Sequence, residues 1–119
     1  MRRLLLAAAC LLGAACATDS SGNAWPLELS WTFADGRSCT DAGVITVTVG
    51  VPGDQAPKKL DCVAGLDGPI AAGGWAAGPL VIEALTPDGL PAYRAMTTMP
   101  DAAATLAVTL VYVGGAPPP

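Results

Sequence analysis

The chain has 119 residues, 52% of them hydrophobic and 13% charged, with a formal charge of −4 and no histidine. This composition excludes a charge-rich disordered chain and points to one folded domain; six Lys and Arg against ten Asp and Glu leave no basic footprint for nucleic acid. The absence of histidine excludes Ser-His-Asp and Cys-His catalysis, two-histidine zinc sites and an imidazole pH switch. In chain order, the first segment reads as an address. Arg2 and Arg3 precede an apolar run from Leu4 to Leu12 and the small residues Gly13, Ala14 and Ala15. That is the pattern of a secretory signal peptide, residues 1–15. The run is too short for a hydrocarbon core, which takes about 20 apolar residues.

Leu12-Gly13-Ala14-Ala15-Cys16 resembles the lipobox of bacterial lipoproteins, with Gly13 where that family prefers leucine. The resemblance implies that Cys16 becomes the first mature residue and carries the lipid, so that acyl chains are the membrane partner. The alternative is an ordinary signal peptide cut nearby, which leaves Cys16 a free thiol. Removing residues 1–15 leaves Cys16, Cys39 and Cys62, an odd number in an oxidising compartment, and acylation of Cys16 frees the other two to pair. Each buried methylene is worth about 0.8 kcal/mol, so several acyl chains anchor a domain that has no span of its own. Residues 16–24 then form the lipidated N-terminus and a polar tether. With Ala17 rather than aspartate after the cysteine, the sorting preference of the family implies an outer membrane, on its periplasmic or cell-surface side.

From Trp25 the hydrophobic period is two. Leu27, Leu29, Trp31 and Phe33 alternate with Glu28, Ser30 and Thr32, and Ile45, Val47, Val49 and Val51 alternate with Thr46, Thr48 and Gly50, which predicts two strands with one apolar face each. Residues 38–42 allow a single helical turn. Shorter strands are predicted over 59–63, carrying Cys62, and over 80–86, with Leu80, Ile82 and Ala84 on one face. A weaker strand over 91–97 begins at Pro91, and the last, over 105–113, places Leu106, Val108, Leu110 and Tyr112 together. Turn signals separate them at Asp35-Gly36, Pro52-Gly53-Asp54, Asp67-Gly68-Pro69, Gly73-Gly74 and Pro87-Asp88-Gly89. Residues 25–114 are therefore expected to form an all-β domain, an antiparallel six- to seven-stranded β-sandwich, with residues 115–119 a flexible tail.

A Cys39–Cys62 disulfide is expected, because it would close a loop between two strand regions and stabilise a small domain by about 3 kcal/mol. A redox-active pair would call for Cys-x-x-Cys spacing or an adjacent base, and the sequence has neither. Trp31-Thr32-Phe33, Asp35-Gly36-Arg37-Ser38-Cys39, Ala42-Gly43-Val44 and the strand ending at Pro87-Asp88-Gly89 resemble small secreted bacterial lipoproteins with an immunoglobulin-like or carboxypeptidase-regulatory-like (transthyretin-type) β-sandwich. The resemblance implies a fold and a location and supplies no catalytic residues. Leu80 stands where related domains commonly carry tyrosine.

No catalytic set is legible. Glu28 and Glu83, the two glutamates, fall opposite the predicted core faces, and Asp35, Asp54, Asp67 and Asp88 neighbour turn glycines as cap residues do. No Asp-x-Asp-x-Asp run concentrates oxygen ligands for calcium, so no metal and no cofactor is expected. The stretch from Gly50 to Lys59 lacks the Lys-Ser/Thr ending of a phosphate loop and reads as a hairpin connection. Trp25 and Trp75 remain as candidates for ligand contact, since a loop tryptophan can stack on a sugar or anchor an interface. The competing role for Trp75 is a plug at the end of the sandwich. The expected function is that of a non-enzymatic, lipid-anchored extracytoplasmic protein of structural or protein-interaction role, and the alternative is a carbohydrate- or small-ligand module using Trp25 and Trp75.

Overall fold

The computed structural model describes residues 24–114. Cys16, the signal peptide, the tether up to residue 23 and the tail 115–119 lie outside the described residues. Seven strands and two short helices follow in the order β1 (Trp25–Phe33), α1 (Cys39–Ala42), β2 (Thr46–Gly50), β3 (Lys58–Asp61), α2 (Cys62–Asp67), β4 (Ile70–Trp75), β5 (Gly78–Leu85), β6 (Pro91–Met99) and β7 (Ala104–Tyr112). The domain is all-β as expected. The strands hydrogen-bond in the order β3-β2-β5-β6-β7-β1-β4.

The expectation of a purely antiparallel arrangement is corrected by β1, which runs parallel to β7 from Leu27↔Ala104 to Phe33↔Leu110 and antiparallel to β4 on its other side. A parallel pair needs a long crossover, and here almost the whole domain is that crossover. The mixed sheet curls until its outer strands come alongside: the methylenes of Lys58 on β3 lie against Gly73 on β4, where an added Cβ would sit 3.1 Å from Lys58 Cδ. The result is a barrel that is nearly closed. Between β6 and β7 the ladder is confined to Tyr93↔Tyr112 and Arg94↔Val111. Beyond these pairs a cleft of about 480 Å³ separates the strands, lined by Met96, Thr97, Val108 and Thr109 among others.

Alternation explains β1 fully, with Leu27, Leu29, Trp31 and Phe33 buried and Glu28 and Thr32 exposed. It explains β2 only in part. Val47 and Val49 are fully buried, but Thr48 is buried as well, because the loop after β2 folds back over the opposite face and brings Pro57 and Asp54 against Gly50. Ile45 and Val51, predicted to share the core face, lie just outside the strand and are 59% and 48% exposed. The predicted strand over 59–63 stops at Asp61, whose carboxylate accepts a hydrogen bond from the Ala64 N–H at 3.0 Å and so starts α2 at Cys62. Gly73-Gly74, read as a turn, belongs instead to the edge strand β4, a seventh strand that the alternation did not disclose.

The buried side chains form one core, with Trp31, Tyr93, Leu80 and Ile82 among its largest members. Trp31 organises the part beneath α2. Its Nε1–H donates to the Cys62 carbonyl at 3.0 Å, and its ring fills the space where Gly65 would carry a Cβ. Only glycine permits that approach.

Candidate interaction surface

The strand registers divide the molecule into two ends. Trp25, Trp75, Gly78 and the β6–β7 connection gather at one. The loop after Phe33, both helices, the start of β2 and the β5–β6 turn gather at the other. We refer to these as the Trp25 end and the disulfide end.

At the Trp25 end the two candidate tryptophans are direct partners in the β1–β4 register. The sequence signals did not show that pairing, since half of it depends on a strand made of small residues. Both rings are half-buried against the core. Trp25 Nε1–H donates to Asp101 Oδ1 at 2.9 Å, and Trp75 Nε1–H donates to the Ala72 carbonyl at 2.7 Å. The polar edge of each indole is thus engaged within the fold.

At the disulfide end, Cys39 and Cys62 are joined, with Cα atoms 6.1 Å apart. The bond links the first residues of α1 and α2. Ser38 caps α1 by accepting the Asp41 N–H at 3.1 Å, and Gly43 ends it in the left-handed region at φ 71°. A second tie crosses the core. The buried Tyr93 hydroxyl donates to Asp35 Oδ2 at 2.8 Å, and its ring meets Phe33 and Tyr112 edge-on at 4.7 and 5.3 Å between centroids. Burial, then the hydrogen bond to Asp35 and the negative charge of that carboxylate, push the Tyr93 phenol up to about 12. It is a neutral structural donor at ordinary pH. Asp35 also accepts the Arg37 N–H at 3.2 Å and pairs with the Arg37 guanidinium at 3.4 Å, so the expected turn-capping role is accompanied by a long-range one.

These ties hold an apolar surface open to solvent. Ile45, Val63 and Leu90 are 59%, 54% and 63% exposed. Ile45 and Val63 border a hollow of about 320 Å³, completed by Cys39, Val44, Asp61 and Pro87. Leu90 closes the same turn as Pro87, its carbonyl accepting the Thr86 N–H at 3.0 Å. Sequence reasoning missed this surface because Ile45 continues the alternation of β2. The signal that could have found it is Val44-Ile45, two large apolar neighbours entering one strand, of which only Val44 turns inward.

Among the described residues, Glu83, Glu28 and Asp54 are each engaged with separate partners. Glu83 on β5 binds Arg94 on β6 through Nε and Nη2 at 3.0 and 2.7 Å, whereas Glu28 on β1 accepts the Thr105 hydroxyl at 3.4 Å. Asp54 caps its own loop by accepting the Ala56 N–H at 2.9 Å. Among the described residues no three Cys, Asp or Glu side chains are grouped to hold a metal ion, and no helix is long and apolar enough to cross a membrane. Compared with known proteins, the chain matches no protein-family model, no curated protein and no solved structure.

Proposed function

We propose that this protein is a non-enzymatic, lipid-anchored extracytoplasmic β-domain that docks another protein through its disulfide end. The observation that carries the reading is the pair Ile45 and Val63, each more than half exposed and bordering an apolar hollow at the end of the barrel away from Trp25, with the exposed Leu90 on the turn that contributes Pro87 to it. Single exposed aliphatic residues are ordinary on protein surfaces, but a contiguous group beside a concavity marks an interaction site. In this reading the anchored segment joins the domain at its Trp25 end, opposite the docking surface. The Cys39–Cys62 bond fits an oxidising compartment. The resemblance to small secreted lipoproteins with immunoglobulin-like or transthyretin-type sandwiches supports the same location, with the parallel β1–β7 pair as a departure from an antiparallel sandwich.

A photo-crosslinking residue placed at Ile45 tests the docking surface, with Thr105, exposed on β7, as the control. Discrete adducts at position 45 that vanish in Val63→Asp support the reading; equal adducts at both positions overturn it. Fractionation of Cys16→Ser tests the anchor, which predicts movement of the protein from membrane to soluble fractions.

A second reading, a carbohydrate-binding module, draws on the cross-strand Trp25↔Trp75 pair. Their half-buried rings and engaged N–H groups leave less surface for stacking than a free pair would offer. Glycan-induced change in tryptophan fluorescence that is lost in Trp75→Ala would favour this reading over the first.

A further inference from the structure

We infer that the partner seated at the disulfide end presents apolar side chains framed by lysine or arginine. This inference rests on the docking reading above and adds the partner's chemistry. The segments that build this end, residues 34–43, 61–68 and 86–90, carry the carboxylates of Asp35, Asp41, Asp61, Asp67 and Asp88 against the single cation Arg37. Arg37 is already engaged, with its guanidinium 3.4 Å from Asp35 and donating to the Asp41 carbonyl at 3.1 Å. Asp61 lines the hollow itself and caps α2, its carboxylate accepting the Ala64 N–H. Asp41 and Asp88 are exposed on α1 and on the turn that contributes Pro87. The two lysines of β3 lie opposite Val49 and Thr48, Lys59 two residues from Asp61, and neither lines the hollow.

An apolar floor inside an acidic rim selects its occupant by charge. A second copy meeting the same face would bring one acidic rim against another, and an anionic lipid surface would be repelled in the same way. A basic apolar segment instead gains the burial of Ile45, Val63 and Leu90 together with favourable rim contacts. Such contacts are exposed and screened, so they set specificity and association rate more than depth of affinity.

The test uses the full chain carrying Cys16→Ser, which avoids detergent. The probes are two synthetic twelve-residue peptides that share the same leucines, one with lysines and the other with glutamates at the intervening positions. Amide chemical shifts and calorimetry are read for each. The expected result is that the lysine peptide moves Gly43, Ile45, Val63 and Leu90 and binds at least about tenfold more tightly than its glutamate counterpart. That preference should shrink about fivefold or more in Asp41→Lys/Asp88→Lys, and should weaken as salt is raised from 0.1 to about 0.5 M. Equal binding of both peptides at those amides overturns the charge assignment and leaves the docking surface standing. No movement of those amides with either peptide overturns both. Concentration-dependent self-association that moves the same amides overturns the inference in favour of a second copy.

Discussion

The two ends of the barrel handle large apolar groups in opposite ways. At the Trp25 end, two indoles are half-buried against the core and their N–H groups are bound within the fold. At the disulfide end, three aliphatic side chains stay exposed although the backbone beneath them is tied by a disulfide, two helix caps and the Tyr93–Asp35 bond. Rigidity and coverage are therefore separate properties. The ties hold the loops in place without hiding their apolar side chains, which is what a preformed docking surface requires, since a partner then spends little on ordering it.

Breaking the frame should have the largest effect. Replacing Cys39 and Cys62 together with alanine should lower stability by about 3 kcal/mol, measured by chemical denaturation, since the bond closes a loop of more than twenty residues. If the double-alanine variant unfolds at the same denaturant concentration as the parent, the disulfide is not what holds this end together. Gly65→Ala should cost about 2 kcal/mol, because the new methyl meets the Trp31 ring in a core with no room to yield. An unchanged melting temperature would show that α2 can lift away from Trp31.

Tyr93 gives the comparison a pH axis. Its phenol is raised from 10.0 to about 12 in the folded chain, so the stability it contributes is fully present below pH 10 and is lost as pH rises through 12, while the unfolded chain ionises first. Tyr93→Phe should remove that dependence and lower stability near neutral pH by about 1.5 kcal/mol, the loss of a hydrogen bond to a charged group. The difference between parent and variant in tyrosinate absorbance during alkaline titration locates the Tyr93 step. A step near pH 10 with the fold intact would contradict the Tyr93–Asp35 bond. The smallest effect belongs to the exposed surface. Ile45→Ser should change stability by no more than about 0.5 kcal/mol, whereas Trp25→Ala at the other end should cost more, and equal losses would erase the contrast between the two ends.

How much of this was legible in the sequence depended on how each segment is covered. β1 was read correctly because the face carrying Glu28 and Thr32 is open to solvent, so its alternation records burial directly. The same pattern misplaced Ile45 and Val51, because alternation holds only while the backbone remains in the sheet and both residues fall beyond its ends. β4 left little alternation to read, since between Ile70 and Trp75 it holds only alanine and glycine, with Ala72 its one fully buried side chain. α2 spans six residues, too few for a helical period to show. The disulfide was reachable by counting cysteines. The Tyr93–Asp35 bond joins positions 58 residues apart and has no local signature, and the acidic rim exists only once the folded chain brings α1, α2 and the β5–β6 turn to one end.

The placement of β1 has a mechanical consequence. The chain enters the domain at Trp25, and β1 lies between β7 and β4, with its parallel register to β7 unbroken from Leu27↔Ala104 to Phe33↔Leu110. A pull on the N-terminal side of Trp25 against a load at the opposite end runs along the strand axis, so the ladder bonds on both flanks share the force in shear instead of opening one after another. The strand most exposed to traction from a tether is thus the one whose release requires many bonds to fail together.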